Sequence, residues 1–97
     1  MNHYILSQKT QEDIDEIYDF GSRKFGENQA LDYLITLRSY FQLLLKNPYI
    51  GKQRNGIKEG LYSFPCASHI IFYGIFSSNI RIVRVLHGSR DFIKFLK

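Results

Sequence analysis

Three polar side chains on one apolar run carry the most concentrated chemistry in this sequence. Arg81, Arg84 and His87 interrupt the stretch Ile80-Arg81-Ile82-Val83-Arg84-Val85-Leu86-His87. An imidazole titrates near neutrality and can serve as acid or base, and guanidinium groups beside it can stabilise charge on a phosphate. His87 with Arg84 and Arg81 is therefore the candidate catalytic set if the chain acts chemically on a phosphate. The same groups equally suit docking of an acidic protein segment, and the two readings stand side by side. β-Branched residues dominate the run, so it reads as a central strand. Alternation along a strand sends Arg81 and Arg84 to opposite faces, one with Ile80, Ile82 and Leu86, the other with Val83 and Val85. An arginine on a face covered by helices needs a buried carboxylate or carbonyl partner.

Other reactive side chains are scattered. Lys52 and Arg54 lie in a loop flanked by Gly51 and Gly56, where a phosphate contact and simple solvation are equally good readings. His69 precedes the most apolar stretch of the chain, and no cysteine or second histidine stands at metal-ligand spacing from it, so a structural role is favoured. Cys66 follows a proline with no helix N-terminus to activate it, which favours a buried, inert thiol. The acids Glu12, Asp13, Asp15, Glu16 and Asp19 are read as the solvated face of a helix rather than a metal site. Neither a metal nor a cofactor is expected.

The elements that hold these groups follow from periodicity. Residues 3–6 form a first strand, and Ser7 caps a helix whose apolar side is Ile14, Ile17, Tyr18, Gly21 and Phe25. Gly26 ends that helix, and a second, more apolar helix carries Ala30, Leu31, Tyr33, Leu34, Leu37, Tyr40, Phe41, Leu44 and Leu45 to the stop at Asn47-Pro48. The two make an antiparallel hairpin, with the second helix lying on the sheet and the first more exposed. Residues 49–56 read as loop. Strands at 61–64, 68–76 and 80–87 follow in quick succession as an antiparallel meander. The expected fold is α+β: an N-terminal strand and a helical hairpin on one face of a mainly antiparallel four-stranded sheet. Leu34, Leu37, Phe41, Leu44, Ile70, Phe72, Ile82 and Leu86 are expected in one core. After Gly88 comes a short helix or tail with Phe92, Ile93, Phe95 and Leu96, too apolar to hang free without docking on the domain or on a partner.

Ninety-seven residues, 44% of them hydrophobic, suit one domain over 1–97. No signal pattern or membrane-length apolar run is present, and a single cysteine agrees with a reducing compartment, so a cytoplasmic location is expected. The charge is split: residues 1–32 hold three basic and seven acidic side chains, net −4, whereas residues 33–97 hold ten and two, net +8. The strand-bearing half is where an acidic partner is expected to bind.

Taken in order, Asn47-Pro48-Tyr49-Ile50-Gly51-Lys52, Ile57-Lys58-Glu59-Gly60-Leu61, Phe64-Pro65, Ser68-His69-Ile70-Ile71-Phe72-Tyr73 and Ile82-Val83-Arg84-Val85-Leu86-His87-Gly88 resemble the ParE toxins of the RelE/ParE type II toxin–antitoxin superfamily. The resemblance runs from about Leu6 to Asp91. It implies a bacterial cytoplasmic toxin that poisons DNA gyrase and blocks replication, a ParD-like antitoxin bound in a hetero-oligomer, no membrane, and DNA reached only through antitoxin or gyrase. In that light His87 takes a structural or partner-binding role, and the protein acts by binding rather than as an enzyme. His87, Arg90, Lys94, Phe95 and Lys97 are the candidate gyrase-contacting residues, and Lys52, Arg54, Tyr62, Arg81 and Arg84 the candidate antitoxin-contacting ones. Family members often carry a basic pair before Phe-Pro; here Tyr62-Ser63 stands there, leaving an aromatic ring and a hydroxyl to face an antitoxin. The alternatives within the superfamily are a RelE-like ribosome-dependent mRNA endonuclease and an inactive, antitoxin-binding relic. RelE-like chains often place a tyrosine or histidine acid/base near the C-terminus, and the tail Phe92-Ile93-Lys94-Phe95-Leu96-Lys97 has neither.

Overall fold

The computed structural model describes residues 2–96. Strand β1 (His3–Leu6) leads into helices α1 (Gln8–Phe25) and α2 (Glu27–Lys46), then β2 (Lys52–Gln53), β3 (Leu61–Cys66), β4 (His69–Ile75), β5 (Asn79–His87) and a short α3 (Phe92–Leu96). The sheet order is β1-β5-β4-β3-β2, with β1 parallel to β5 and every other pair antiparallel.

The chain turns where local chemistry dictates. Ser7 caps α1, its Oγ accepting the Thr10 N–H at 3.0 Å. Gly26 joins the helices at φ 95° and ψ 158°, a conformation essentially reserved to glycine. The sheet has five strands rather than the expected four. Within the stretch read as loop, Lys52 and Gln53 pair with Ser63 and Tyr62. Two polar residues have no alternation to announce a strand; the pairing follows from Gly51, whose N–H donates to the Tyr73 hydroxyl at 3.1 Å where a Cβ would collide with that hydroxyl. Pro65 sits within β3 beyond the end of β2, so its missing N–H costs no ladder bond on that side.

The sheet is covered on both faces, so the single expected core is two. Leu37, Phe41 and Leu44 of α2 meet Ile71, Tyr73, Ile80, Ile82 and Val85 on one face. On the other, Phe72, Leu61 and Leu86 are covered by Leu96, with Phe92, Ile70 and Val83 around them. Phe72, Leu86 and Ile70 therefore lie away from the helical hairpin, and Leu34 is only half-buried. A bulge explains part of this. Phe72 pairs with Arg84 and Tyr73 with Ile82, so Val83 is an extra residue in β5. Past it the alternation slips by one: Val85 joins Ile80 and Ile82 under the helices, while Leu86 faces the other way. The simple grouping of Leu86 with Ile82, and of Val85 with Val83, fails for that reason.

Candidate functional site

The neighbour of β5 changes halfway along it. β1 pairs only as far as Leu6 with Ile82, and from there the first turns of α1 take over the exposed edge. Ser7 N–H and the Thr10 hydroxyl both donate to the Ile82 carbonyl, at 3.0 and 2.9 Å, and Ser7 Oγ donates to the Val83 carbonyl at 3.0 Å. One turn on, Asp13 Oδ2 accepts the Val85 N–H at 3.0 Å, standing where the carbonyl of a longer β1 would be. The same carboxylate grips Arg84 with two bonds of 2.8 Å, from Nε to Oδ2 and from Nη2 to Oδ1. Side-chain exposures of 13% for Arg84 and 9% for Asp13 put the pair out of most solvent, and the bonded carboxylate raises the guanidinium pKa further above its ordinary value. Arg84 thus has the buried carboxylate partner that a covered arginine needs, and Asp13 is not part of the solvated acidic face.

The end of β5 and α3 form a cationic, aromatic corner. His87 Nδ1 lies 2.8 Å from Ser89 Oγ and accepts the Ser89 N–H at 3.2 Å, which orients the imidazole at the exposed end of the strand. Phe92 and Leu96 turn inward, Phe92 meeting Phe72 edge-on at 5.2 Å between ring centroids. Ile93 and Phe95 turn outward, 50% and 37% exposed, beside exposed Lys94 and Arg90. The Phe95 ring carries two guanidinium groups, Arg90 at 5.0 Å and Arg84 at 5.4 Å from its centroid. His87, Arg90, Lys94 and Phe95 lie at this corner, and Lys97 lies outside the described residues.

A groove of about 910 Å³ separates the second half of α1 from this corner, with Phe20, Phe25, Tyr33, His69, His87 and Arg90 among its walls. His69 and His87, paired across β4 and β5, meet edge-on at 5.4 Å. Burial, the neighbouring His87 and Arg90 hold the His69 pKa down at about 4. The neutral ring shares a hydrogen bond of 2.6 Å between Nδ1 and the Tyr33 hydroxyl, and Tyr33 Oη accepts the Ser68 N–H at 3.2 Å. His69 is therefore structural: it ties the β3–β4 turn to α2. Unfolding returns its pKa to about 6.5, so the unfolded chain binds the extra proton between those two values. The stabilisation given by neutral His69 is complete above the unfolded value and falls away as pH drops toward about 4. Urea unfolding of wild type and His69→Asn at pH 8 and pH 5 is expected to show a smaller loss on acidification in the variant; equal losses would contradict this reading. Cys66 is fully buried and its thiol is pushed up to about 11 by burial alone, as expected of an inert group.

The remaining candidates do not converge. Lys52 and Tyr62 lie at the β2–β3 edge, and Arg54 turns inward to donate from Nε to Ser63 Oγ at 2.8 Å. Arg81 lies at the opposite side of the sheet, exposed and over Phe76 at 5.0 Å. Of the proposed catalytic set, Arg84 is held by Asp13, and Arg81 is six residues from His87, roughly 20 Å along a strand. They cannot close around one phosphate. Among the described residues no group of three His, Cys, Asp or Glu side chains is placed to hold a metal ion, and no helix is long and apolar enough to cross a membrane. Two residues of the site were not singled out from sequence, Asp13 and Tyr33. Asp13 follows Thr10 by three and precedes Ile17 by four, the spacing of one helix face, which is the signal that marks it as inward.

Comparison with known proteins places this architecture. A family model described as the ParE toxin of the parDE type II toxin–antitoxin system matches residues 4–92. The chain is 29% identical over 91 residues to Toxin ParE1 of Caulobacter vibrioides, covering 94% of each. It is 33% identical over 91 residues to Toxin ParE1 of Mycobacterium tuberculosis, covering 93% of each. Among solved structures, a chain of the chromosomal ParDE TA system from P. aeruginosa superposes with a TM-score of 0.77 at 19% identity, covering 90% of this chain and 95% of that one.

Proposed function

For a chain that belongs to the ParE toxin family of type II toxin–antitoxin systems, we propose that it acts in the cytoplasm by binding and poisoning DNA gyrase, with the outer face of α3 as its contact. The observation that carries this reading is the two-sided character of α3: Phe92 and Leu96 dock it, while Ile93, Lys94 and Phe95 project beside Arg90 and His87. Exposed apolar and aromatic groups mixed with cations, on a helix fixed from beneath, are the composition of an interface anchor. The scattered strand arginines favour this binding mode over nuclease chemistry.

The antitoxin in this reading is a ParD-like chain bringing net negative charge to the basic half. Lys52 in the edge strand β2 and Arg81 in β5 are three strand spacings apart, roughly 14 Å, with Tyr62 one strand nearer. An extended segment reaches both Lys52 and Arg81, whereas a compact contact does not; Tyr62 stacks on Tyr73 on the helix-covered face. Arg84 drops out of this set because Asp13 already holds it.

The double variant Ile93→Asp with Lys94→Glu tests the assignment, since both side chains are exposed and neither supports the core. It is expected to fold with an unchanged melting curve, to bind antitoxin, and to need at least ~10-fold more protein to inhibit gyrase supercoiling, as loss of an interface anchor predicts. Inhibition at the wild-type concentration would remove α3 from the contact.

A further inference from the structure

The Asp13–Arg84 pair has a third member. Arg84 Nη1 donates to the Phe95 carbonyl at 3.4 Å, and its guanidinium lies over the Phe95 ring. One side chain therefore bonds at once to the first half of α1 and to the last turn of α3, two elements at opposite ends of the chain and on opposite sides of β5. The β5 bulge makes this reach possible. It stands Arg84 opposite Phe72, on the face that α3 covers, while the edge of β5 vacated by β1 lets the guanidinium meet Asp13.

We infer that Asp13 and Arg84 are positioning residues for the C-terminal helix: Asp13 fixes the guanidinium, and the guanidinium fixes Phe95, so that the direction in which Ile93 and Lys94 project is set from α1. Few apolar contacts hold α3, whose buried side chains are Phe92 in part and Leu96, and a five-residue helix has little stability of its own. Polar attachment at its outer edge therefore decides how often it lifts. The ion pair is not an alternative binding site for a partner, because its donors and acceptors are already used within the fold. The coupling itself rests on geometry alone; its importance for toxicity rests on the reading of α3 as the target contact.

Limited trypsin digestion separates the two. Cleavage after Lys94 reports lifting of α3, whereas cleavage after Arg38, in the middle of α2, requires opening of the main core. Two full-length variants are compared with wild type: Arg84→Lys, which keeps a charge for Asp13 but loses the second bond and the planar stack, and Phe95→Leu, which leaves Asp13–Arg84 intact. In each, cleavage after Lys94 is expected to accelerate roughly 10-fold relative to cleavage after Arg38, and Phe95→Leu shows the effect without any gross loss of stability. Equal acceleration at both sites, or none at Lys94, would overturn the coupling. Gyrase inhibition measured on the same samples tests the functional reading separately. A loosened α3 with inhibition unchanged keeps the coupling and rejects α3 as the contact, and a loosened α3 with inhibition lost supports both.

Discussion

Replacing Asp13 with alanine is expected to cost about 3–5 kcal/mol of stability, the range found when one member of a buried ion pair is removed. The variant leaves Arg84 with its charge in a site only 13% exposed, and takes the acceptor from the Val85 N–H on a strand edge that no other strand covers. Asp15→Ala, two residues away on the exposed side of α1, is the control, with a change within ~0.5 kcal/mol. Urea midpoints read the contrast, and equal shifts for the two variants would show that the pair is not structural.

That contrast marks what the sequence discloses and what it does not. In composition Asp13 is one of five acids in eight residues, and a helix beginning with such a run has an obvious solvated reading. Its true role depends on where β1 stops along β5, a parallel pairing between residues more than 70 apart, and no local pattern encodes that register. The bulge at Val83 is silent for a related reason: Ile82, Val83 and Val85 all suit a strand, and nothing among them punctuates it. What was legible is local. Ser7, Gly26 and Pro48 bound the helices where their backbone preferences dictate, and the spacing of Leu37, Phe41 and Leu44 presents one face of α2 to the sheet. The strand limits agree within two residues, the largest difference being that Pro65 and Cys66 continue β3 and the turn passes to Ala67 and Ser68. His87, Arg90, Lys94 and Phe95 lie near one another because they follow one another along the chain, whereas the distance of Arg81 from Lys52 and Tyr62 is set by the strand order of the sheet.

The second large effect concerns the tail. A chain ending after Gly88 is expected not to melt as a cooperative unit, and to be recovered folded only together with its antitoxin. Leu96 and Phe92 are the cover for Phe72, Leu61 and Leu86, and removing two such side chains forfeits roughly 3–6 kcal/mol of apolar burial. A domain of this size commonly holds about 5–15 kcal/mol in total, so little is left. Binding a partner that prefers the folded state restores part of the loss by mass action. The tail is thus core on one side and exposed on the other, and truncation cannot separate the two roles as point variants can. A truncated chain whose thermal transition matches the full-length midpoint and sharpness would show that α3 contributes nothing to the second core.

As proposed, the folded protein poisons gyrase by binding and cuts no RNA. The most direct measurement adds the purified full-length chain to a gyrase supercoiling and cleavage-complex assay, with a translating extract run in parallel. The expected result is loss of supercoiling with accumulation of gyrase-linked broken DNA, and intact messenger RNA in the extract. Cleavage of ribosome-bound RNA that disappears in His87→Ala, with gyrase untouched, would contradict the account and put a nuclease in its place.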